Sequence, residues 1–182
     1  MARTSQTQLA VLGALSVEPM TGYRLRTEIV ETLGHFWHES FGQIYPALAG
    51  LEREGLVARD AASAGPGNLF RITAAGRRRL RELLAEPFQQ PAPRDPLLLR
   101  VFFGHHVEPD RLRDWLAEAL AQAETACARY EVLRAEIERA PDVATQGRFR
   151  LLTLLAGLHG ARARADWARE AMDLLDGEGA PG

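Results

Sequence analysis

The segment that decides the fold is Ser40–Val57, with the sequence SFGQIYPALAGLEREGLV. Ser40 and Gln43 have the spacing of a capping box, in which two side chains satisfy backbone N–H groups at the start of a helix. Apolar residues then recur at helical spacing and predict one buried face, made of Ile44, Leu48 and Leu51. Pro46 lacks an N–H, so it predicts a bent or shifted first turn, and Gly55 predicts the end of the helix.

The flanking sequence places this helix within a larger pattern. Upstream, apolar spacing predicts a helix over residues 6–16 and a second helix over residues 21–33, with Thr21 as its N-cap. Downstream, the pattern predicts strand Leu56–Arg59, a Gly-Pro-Gly turn, strand Leu69–Ile72 and a fourth helix capped by Thr73 and ending near Glu86. Helices followed by a two-stranded ribbon are typical of a winged helix-turn-helix, which places one helix in the major groove of DNA.

The C-terminal half predicts a separate helical arm. A proline-rich linker over residues 87–96 precedes a short apolar segment and two long helices, roughly over residues 109–139 and 143–175. Two amphipathic helices alone cannot bury their apolar faces, so we expect a second subunit to cover them. The predicted domains are a DNA-binding domain over residues 1–86, the linker over 87–96, a dimerisation arm over 97–177 and a flexible tail over 178–182.

The composition is that of an ordinary globular protein. The 182 residues are 46% hydrophobic and 25% charged, with a net charge of −2. All 22 basic residues are arginines. Arginine suits bidentate contacts with phosphate and guanine better than lysine does, and the alternative is a composition bias of the source genome. Residues 1–86 carry 10 arginines against 9 acids, whereas residues 87–182 carry 12 against 15. The N-terminal half is therefore the half better suited to nucleic acid.

The sequence contains no signal for secretion, membrane insertion or disulfide bonding. No N-terminal apolar stretch resembles a signal peptide, and the longest apolar runs are too short to span a bilayer. We therefore expect a soluble, cytoplasmic protein without a membrane partner. Its single cysteine, Cys127, excludes an intrachain disulfide, and the neighbouring alanines predict a small buried hydrophobe there.

Four segments of the chain resemble the PadR family of transcriptional regulators: Met20–Tyr23, Phe36–Leu48, Leu51–Val57 and Arg71–Gly76. The Gln-Ile-Tyr-Pro-x-Leu core at residues 43–48 is a specific match. The C-terminal half resembles the longer subgroup of the family, whose C-terminal helices form a dimerisation domain. The resemblance implies a homodimeric repressor that binds a palindromic operator and is often released by a small aromatic or hydrophobic effector.

Candidate DNA-contacting residues cluster around the third helix. Ser40, Gln43 and Tyr45 lie at its N-terminal end, where glutamine can read adenine and tyrosine can donate to phosphate. The alternative is that Ser40 and Gln43 only cap the helix and Tyr45 only packs. Tyr23 and Arg24 open the second helix, which would cross the DNA backbone, although Tyr23 is equally consistent with a core residue.

The predicted wing departs from the family pattern. PadR wings usually carry basic and aromatic residues at the tip, whereas residues 61–68 contain no positive charge. A contact between this wing and DNA would therefore use backbone groups or Asn68.

A candidate effector site lies in the helical arm. Trp115, Trp167 and Phe149 could form an aromatic pocket, and His159 could hydrogen-bond a phenolate or carboxylate ligand. The alternative is that the aromatic residues form the dimer core and that His159 is an ordinary core histidine.

Enzymatic patterns are missing from the sequence. We find no catalytic constellation, no phosphate-binding glycine loop and no cysteine near either histidine pair, His35/His38 or His105/His106. We therefore expect neither an enzyme nor a metal or other cofactor. Two further hypotheses stay open beside an effector-controlled regulator. One is a DNA-binding dimer without a ligand, and the other is a helical protein-interaction module that has lost DNA binding, suggested by the uncharged wing.

Overall fold

The computed structural model describes residues 2–34, 36–37, 41–60, 68–87, 94–139 and 147–177, with side chains from residue 6 onward except at residue 41. Its internal contacts divide the chain into two units, residues 1–90 and 91–182. Among the described helices, none is long and apolar enough to cross a membrane.

The first unit is a small helical domain with a three-stranded sheet. Its elements are α1 (Ala2–Val17), β1 (Met20–Thr21), α2 (Gly22–Glu28), α3 (Phe41–Arg53), β2 (Val57–Asp60), β3 (Leu69–Ile72) and α4 (Ala74–Ala85). The predicted helical fold with a wing is confirmed. The first helix begins at Ala2 rather than at residue 6, and the first wing strand is shifted by one residue from its predicted position.

The sheet has one strand that the sequence analysis missed. Its order is β1-β3-β2, and both pairings are antiparallel. Met20 pairs with Phe70 and Thr21 with Leu69, so the two residues before α2 extend the predicted two-stranded ribbon. A two-residue strand has no periodicity of its own, because it exists only through its hydrogen bonds to β3.

Two threonines start helices as predicted. The Thr21 hydroxyl accepts a hydrogen bond from the Arg24 N–H at 3.2 Å, and the Thr73 hydroxyl accepts one from the Gly76 N–H at 3.0 Å. The second helix differs from the prediction at its end, because α2 continues into a π-helical segment, Ile29–Leu33. This wider turn keeps Ile29 buried and packs Leu33 against the core.

The end of α3 follows the glycine rule. Gly55 has a φ of 70°, the left-handed conformation that glycine adopts without strain. The Gly55 N–H donates to the Glu52 carbonyl at 3.0 Å, and the Leu56 N–H donates to the Leu51 carbonyl at 2.9 Å. This pair of bonds is a Schellman motif, which turns the chain from α3 into β2. The helix itself runs through Pro46.

All seven elements of the first unit contribute to one core. The predicted apolar face of α3 is buried there, with Ile44, Leu48 and Leu51 at most 3% exposed. The other buried core residues are Val11, Leu12, Leu15, Met20, Leu25, Ile29, Val57, Phe70, Ile72 and Leu83. Because this face of α3 holds the helix in the core, the opposite face is presented to solvent.

The second unit is an antiparallel pair of long helices preceded by a short one. Its elements are α5 (Pro96–Phe102), a 3-10 turn (Gly104–His106), α6 (Pro109–Arg139) and α7 (Arg148–Gly177). Buried residues recur at spacings of three, four or seven along the long helices, at Leu112, Leu116, Ala119 and Ala123 and at Leu154, Leu158, Ala165 and Ala168. The predicted start of α7 near Val143 lies outside the described residues.

Candidate nucleic-acid interface

The solvent-facing side of α3 carries two of the predicted DNA-contacting side chains. Gln43 and Tyr45 are exposed on either side of the buried Ile44, and Tyr45 is 46% exposed. Because α3 is fixed to the core through its other face, these two side chains project from a rigid element. Ser40, the third candidate on this helix, lies outside the described residues, so its capping role stays a prediction.

Tyr45 lies against the start of α2. A Cβ atom built on Gly22 would be 3.1 Å from Tyr45 Cε1 and 3.7 Å from Tyr45 Cδ1. The Tyr45 ring is therefore in close contact with the backbone of Gly22. This contact joins the first turn of α2 to the first turn of α3, the two helix ends that a helix-turn-helix presents to DNA.

The residues after Gly22 are also at the surface. Tyr23 is 71% exposed, so it is not a core residue. Arg24 is exposed as well and forms a salt bridge with Glu18. A phosphate contact by Arg24 would therefore have to share or replace an existing carboxylate partner.

The wing presents one polar candidate and one cation that the sequence analysis did not single out. Asn68 is exposed immediately before β3, whereas the wing tip, residues 61–67, lies outside the described residues. Arg71 is exposed on β3 across from Ala58 and forms no ion pair with described residues. Arg59 on β2 is less available, because its guanidinium donates to both oxygens of the Glu52 carboxylate at 3.0 Å.

Arg71 supplies positive charge at the base of a wing whose tip has none. The sequence could have identified Arg71, because it lies between Phe70 and Ile72, whose side chains face the core from the same strand. Because side chains alternate along a strand, the Arg71 side chain points to the outer face of the sheet.

The predicted effector residues lie far apart within one chain. Arg113 pairs with Asp176, Arg169 with Glu124 and Arg162 with Glu131, which sets the antiparallel register of α6 and α7. Trp115 is two residues from Arg113 and therefore near the C-terminal end of α7. Trp167 precedes Asp176 by nine residues, a distance of roughly 14 Å along the helix.

Each predicted effector residue has its own surroundings. Trp115 is half-buried, with the guanidinium carbons of Arg100 and Arg111 at 5.3 and 5.7 Å from its ring centre. Trp167 is half-buried beneath the Arg164 guanidinium, at 4.5 Å. His159 and Phe149 are exposed. Within one chain, these four residues do not line a common pocket.

A cleft does open between α6 and α7, at a different place. It has a volume of about 290 Å³ and is lined by Glu124, Cys127, Arg162, Ala165, Asp166 and Arg169. Cys127 is half-buried there, not the fully buried hydrophobe that was predicted, because its neighbours across the cleft are ion-paired side chains. None of the four predicted effector residues lines this cleft.

Two protein-family models match successive parts of the chain. Residues 11–82 match the transcriptional regulator PadR-like family, and residues 93–176 match the virulence activator alpha C-terminal domain. The Negative transcriptional regulator PadR of Bacillus subtilis (strain 168) is 26% identical over 181 residues, covering 92% of this chain and 96% of that protein.

Solved structures of the same fold cover nearly the whole chain. The Vibrio cholerae virulence activator AphA is 28% identical with a TM-score of 0.78, covering 94% of this chain and 99% of AphA. B. subtilis PadR in complex with operator DNA is 21% identical with a TM-score of 0.79, covering 92% of this chain and 98% of that one. The same regulator in complex with p-coumaric acid is 20% identical with a TM-score of 0.78, covering 93% and 98%. Residues 11–82 thus match a PadR-like transcriptional regulator domain, and the chain is similar to regulators of that family over nearly its whole length.

Proposed function

We propose that this regulator is a homodimeric repressor that binds a palindromic operator through α3 and is released from it by a small aromatic or hydrophobic effector. The observation that carries the proposal is the arrangement of α3, which buries Ile44, Leu48 and Leu51 and exposes Gln43 and Tyr45. A helix held in this way can enter the major groove without losing its packing. Tyr23, Arg24 and Asn68 would flank it as contacts to the DNA backbone, with Ser40 at the start of the helix.

Exposed apolar side chains on the second unit support a dimer. Large hydrophobic residues at least 45% exposed are Leu98, Leu99, Phe102, Phe103, Val132, Phe149, Leu152 and Leu174. Phe149 and Leu152 lie one turn apart on α7, away from the buried Leu154 and Leu158 that face α6. A helix that is apolar on two faces needs a second partner beyond its neighbour in the chain. A second copy of the chain supplies one and also provides the second recognition helix that a palindrome requires.

The effector would then bind where two chains meet. Trp115, Trp167, Phe149 and His159 are too dispersed to form one site in a single chain, so a pocket built from them needs side chains of the partner subunit. B. subtilis PadR has been solved with p-coumaric acid, which supports a small aromatic ligand here. An effector that prefers the dimer geometry unable to bind DNA would weaken operator binding by the same factor as operator weakens effector binding.

Footprinting on the DNA upstream of the protein's own reading frame tests this proposal. We expect two protected half-sites related by a two-fold axis and separated by one DNA turn, about 34–36 Å, or a multiple of it. Titration of p-coumaric acid and related aromatic acids into the complex should weaken protection. A single asymmetric site would contradict the dimer model, and an unchanged footprint with every ligand would favour a regulator controlled by its own abundance.

The lack of positive charge over residues 61–68 of the wing favours one rival function, a helical protein-interaction module without DNA binding. Retention of the PadR-like α3, with its exposed Gln43 and Tyr45, is the observation against it. The two functions differ in salt dependence, because contacts to phosphate weaken steeply as salt rises.

A further inference from the structure

Gly22, at the start of α2, lies close to Tyr45 of α3. A methyl group on Gly22 would be 3.1 Å from Tyr45 Cε1, closer than ordinary van der Waals contact, and 3.7 Å from Leu48 Cδ2. By contrast, a methyl group on Gly42 or Gly13 would meet no atom within 4 Å. The absence of a side chain at position 22 therefore determines how closely the Tyr45 ring approaches α2.

The backbone of Gly22 is anchored from the preceding residue. Thr21 pairs with Leu69 in the sheet, and its hydroxyl accepts the Arg24 N–H at 3.2 Å as the cap of α2. Met20, the residue before it, is 2% exposed and belongs to the core. Gly22 cannot move away from α3 without breaking the strand pairing or the cap.

The two side chains opposite Gly22 differ in their freedom to move. Leu48 is 3% exposed and packed in the core, whereas Tyr45 is 46% exposed. A methyl group added to Gly22 would therefore displace Tyr45 and leave Leu48 in place. Because an aromatic ring is rigid, a shift at Cε1 also moves the hydroxyl group bonded to the adjacent ring carbon.

We propose that Gly22 is a positioning residue for DNA recognition, because its missing side chain sets the place of the Tyr45 ring and hydroxyl on the face of α3. This inference rests on the proposed function, because it requires Tyr45 to contact DNA. The contact between Gly22 and Tyr45 can be tested without DNA, so the two claims can fail separately.

The first test measures the position of Tyr45 in the free protein. The chain has three tyrosines, so protein labelled with 3-fluorotyrosine should give three ¹⁹F resonances, and the variants Tyr45→Phe and Tyr130→Phe identify those of Tyr45 and Tyr130. We expect Gly22→Ala to shift the Tyr45 resonance and leave that of Tyr130 unchanged. Gly50→Ala, on α3 but with only the Arg53 side chain at 3.8 Å, is the matched control and should leave both unchanged.

The second test measures operator affinity in a double-mutant cycle. We expect Gly22→Ala to weaken binding to the upstream duplex by roughly three- to tenfold in the wild-type background. In the Tyr45→Ala background no ring remains to be displaced, so the same substitution should change affinity by less than about twofold. Tyr45→Phe shows whether the affinity depends on the hydroxyl or on the ring, since it removes the hydroxyl and keeps the ring. Thermal unfolding of every variant verifies that each is folded.

Each outcome decides one claim. An unshifted Tyr45 resonance in Gly22→Ala would overturn the positioning role whether or not DNA binds. Equal losses from Gly22→Ala with and without the Tyr45 side chain would also overturn it, because glycine would then act on the fold and not through Tyr45. Unchanged affinity of Tyr45→Ala would remove Tyr45 from the interface, and absence of operator binding by the wild type would defeat the proposed function itself.

Discussion

Substitution of Gln43 distinguishes a side chain that reads a base from one that only caps the helix. Its amide is exposed on α3, and glutamine can form two hydrogen bonds with adenine. If it reads a base, Gln43→Ala should cost about 1–3 kcal/mol on the cognate site and relax the preference at one base pair. Competition binding with operator variants measures this loss. Gln122→Ala, on helix α6 of the second unit, is the control.

A uniform affinity loss across all sequences would assign Gln43 to capping or positioning instead. That result would leave no assigned base-reading side chain on the described part of α3, because the predicted role of Tyr45 is a contact to phosphate.

Asp95 links the start of α5 to α7 and makes the second unit sensitive to acid. Its carboxylate accepts hydrogen bonds from the Leu98 N–H at 3.0 Å and the Leu97 N–H at 2.9 Å, and Arg164 lies within 2.8 Å. The Leu98 N–H, with further contributions from Arg164 and Leu97, holds the pKa of Asp95 below its ordinary value. The ionised form is therefore favoured in the folded state.

The lowered pKa fixes the direction of the pH effect. Stabilisation by Asp95 is present above the unfolded-state pKa and is lost as pH falls through the folded-state value. Asp95→Ala should cost about 1 kcal/mol in the free energy of unfolding at pH 7, as loss of an N-cap does, and less at pH 3. Urea unfolding at both pH values measures the difference. An equal cost at both would contradict the role of the charge, and Asp114→Ala is an exposed control.

The sequence alone predicts the turn after α3, and alanine substitutions at two glycines, Gly55 and Gly50, test it. Gly55 has a φ of 70°, a conformation that costs other residues about 1–2 kcal/mol. Gly55→Ala should therefore destabilise the first unit by about that amount. Gly50→Ala in the middle of α3 should be neutral or stabilising by up to about 1 kcal/mol, because alanine favours helix. Chemical denaturation measures both changes, and effects of the same sign would argue against the motif.

Local signals account for the elements that were predicted correctly. Thr21, Thr73 and Gly55 each act on a backbone group within a few residues, so their types alone indicate where helices begin and end. Strand β1 and the π-helical end of α2 were missed because both depend on distant partners. Met20 and Thr21 become a strand only beside β3, and Leu33 reaches the core only through the wider turn.

The candidate site also has some features that the sequence predicts and others that depend on how the helices pack. The exposure of Gln43 and Tyr45 follows from the helical spacing of Ile44, Leu48 and Leu51, which the sequence displays. The approach of Tyr45 to Gly22 does not follow from spacing, because it depends on how α2 and α3 pack. The separation of Trp115 from Trp167 likewise required the register of α6 and α7, which is set by ion pairs between distant residues.

At the scale of the whole molecule, dimerisation should depend on the second apolar face of α7. Leu152 is 58% exposed in the single chain, so Leu152→Arg would place a charge in the proposed interface and should shift the protein toward monomer. Light scattering after size-exclusion chromatography measures the mass. Thr153→Arg alters an exposed neighbour on the same helix and should stay dimeric. A Leu152→Arg protein that stays fully dimeric would move the interface elsewhere.

Selective binding to a DNA site through α3 is the property on which the proposed function depends. Its most direct test is fluorescence anisotropy of the purified protein with the duplex upstream of its own reading frame, against scrambled competitor, at two salt concentrations. We predict selective binding that weakens steeply as salt rises, because arginine contacts to phosphate release counterions. Absence of binding at low salt, or binding indifferent to both sequence and salt, would contradict the claim and favour a protein-interaction module.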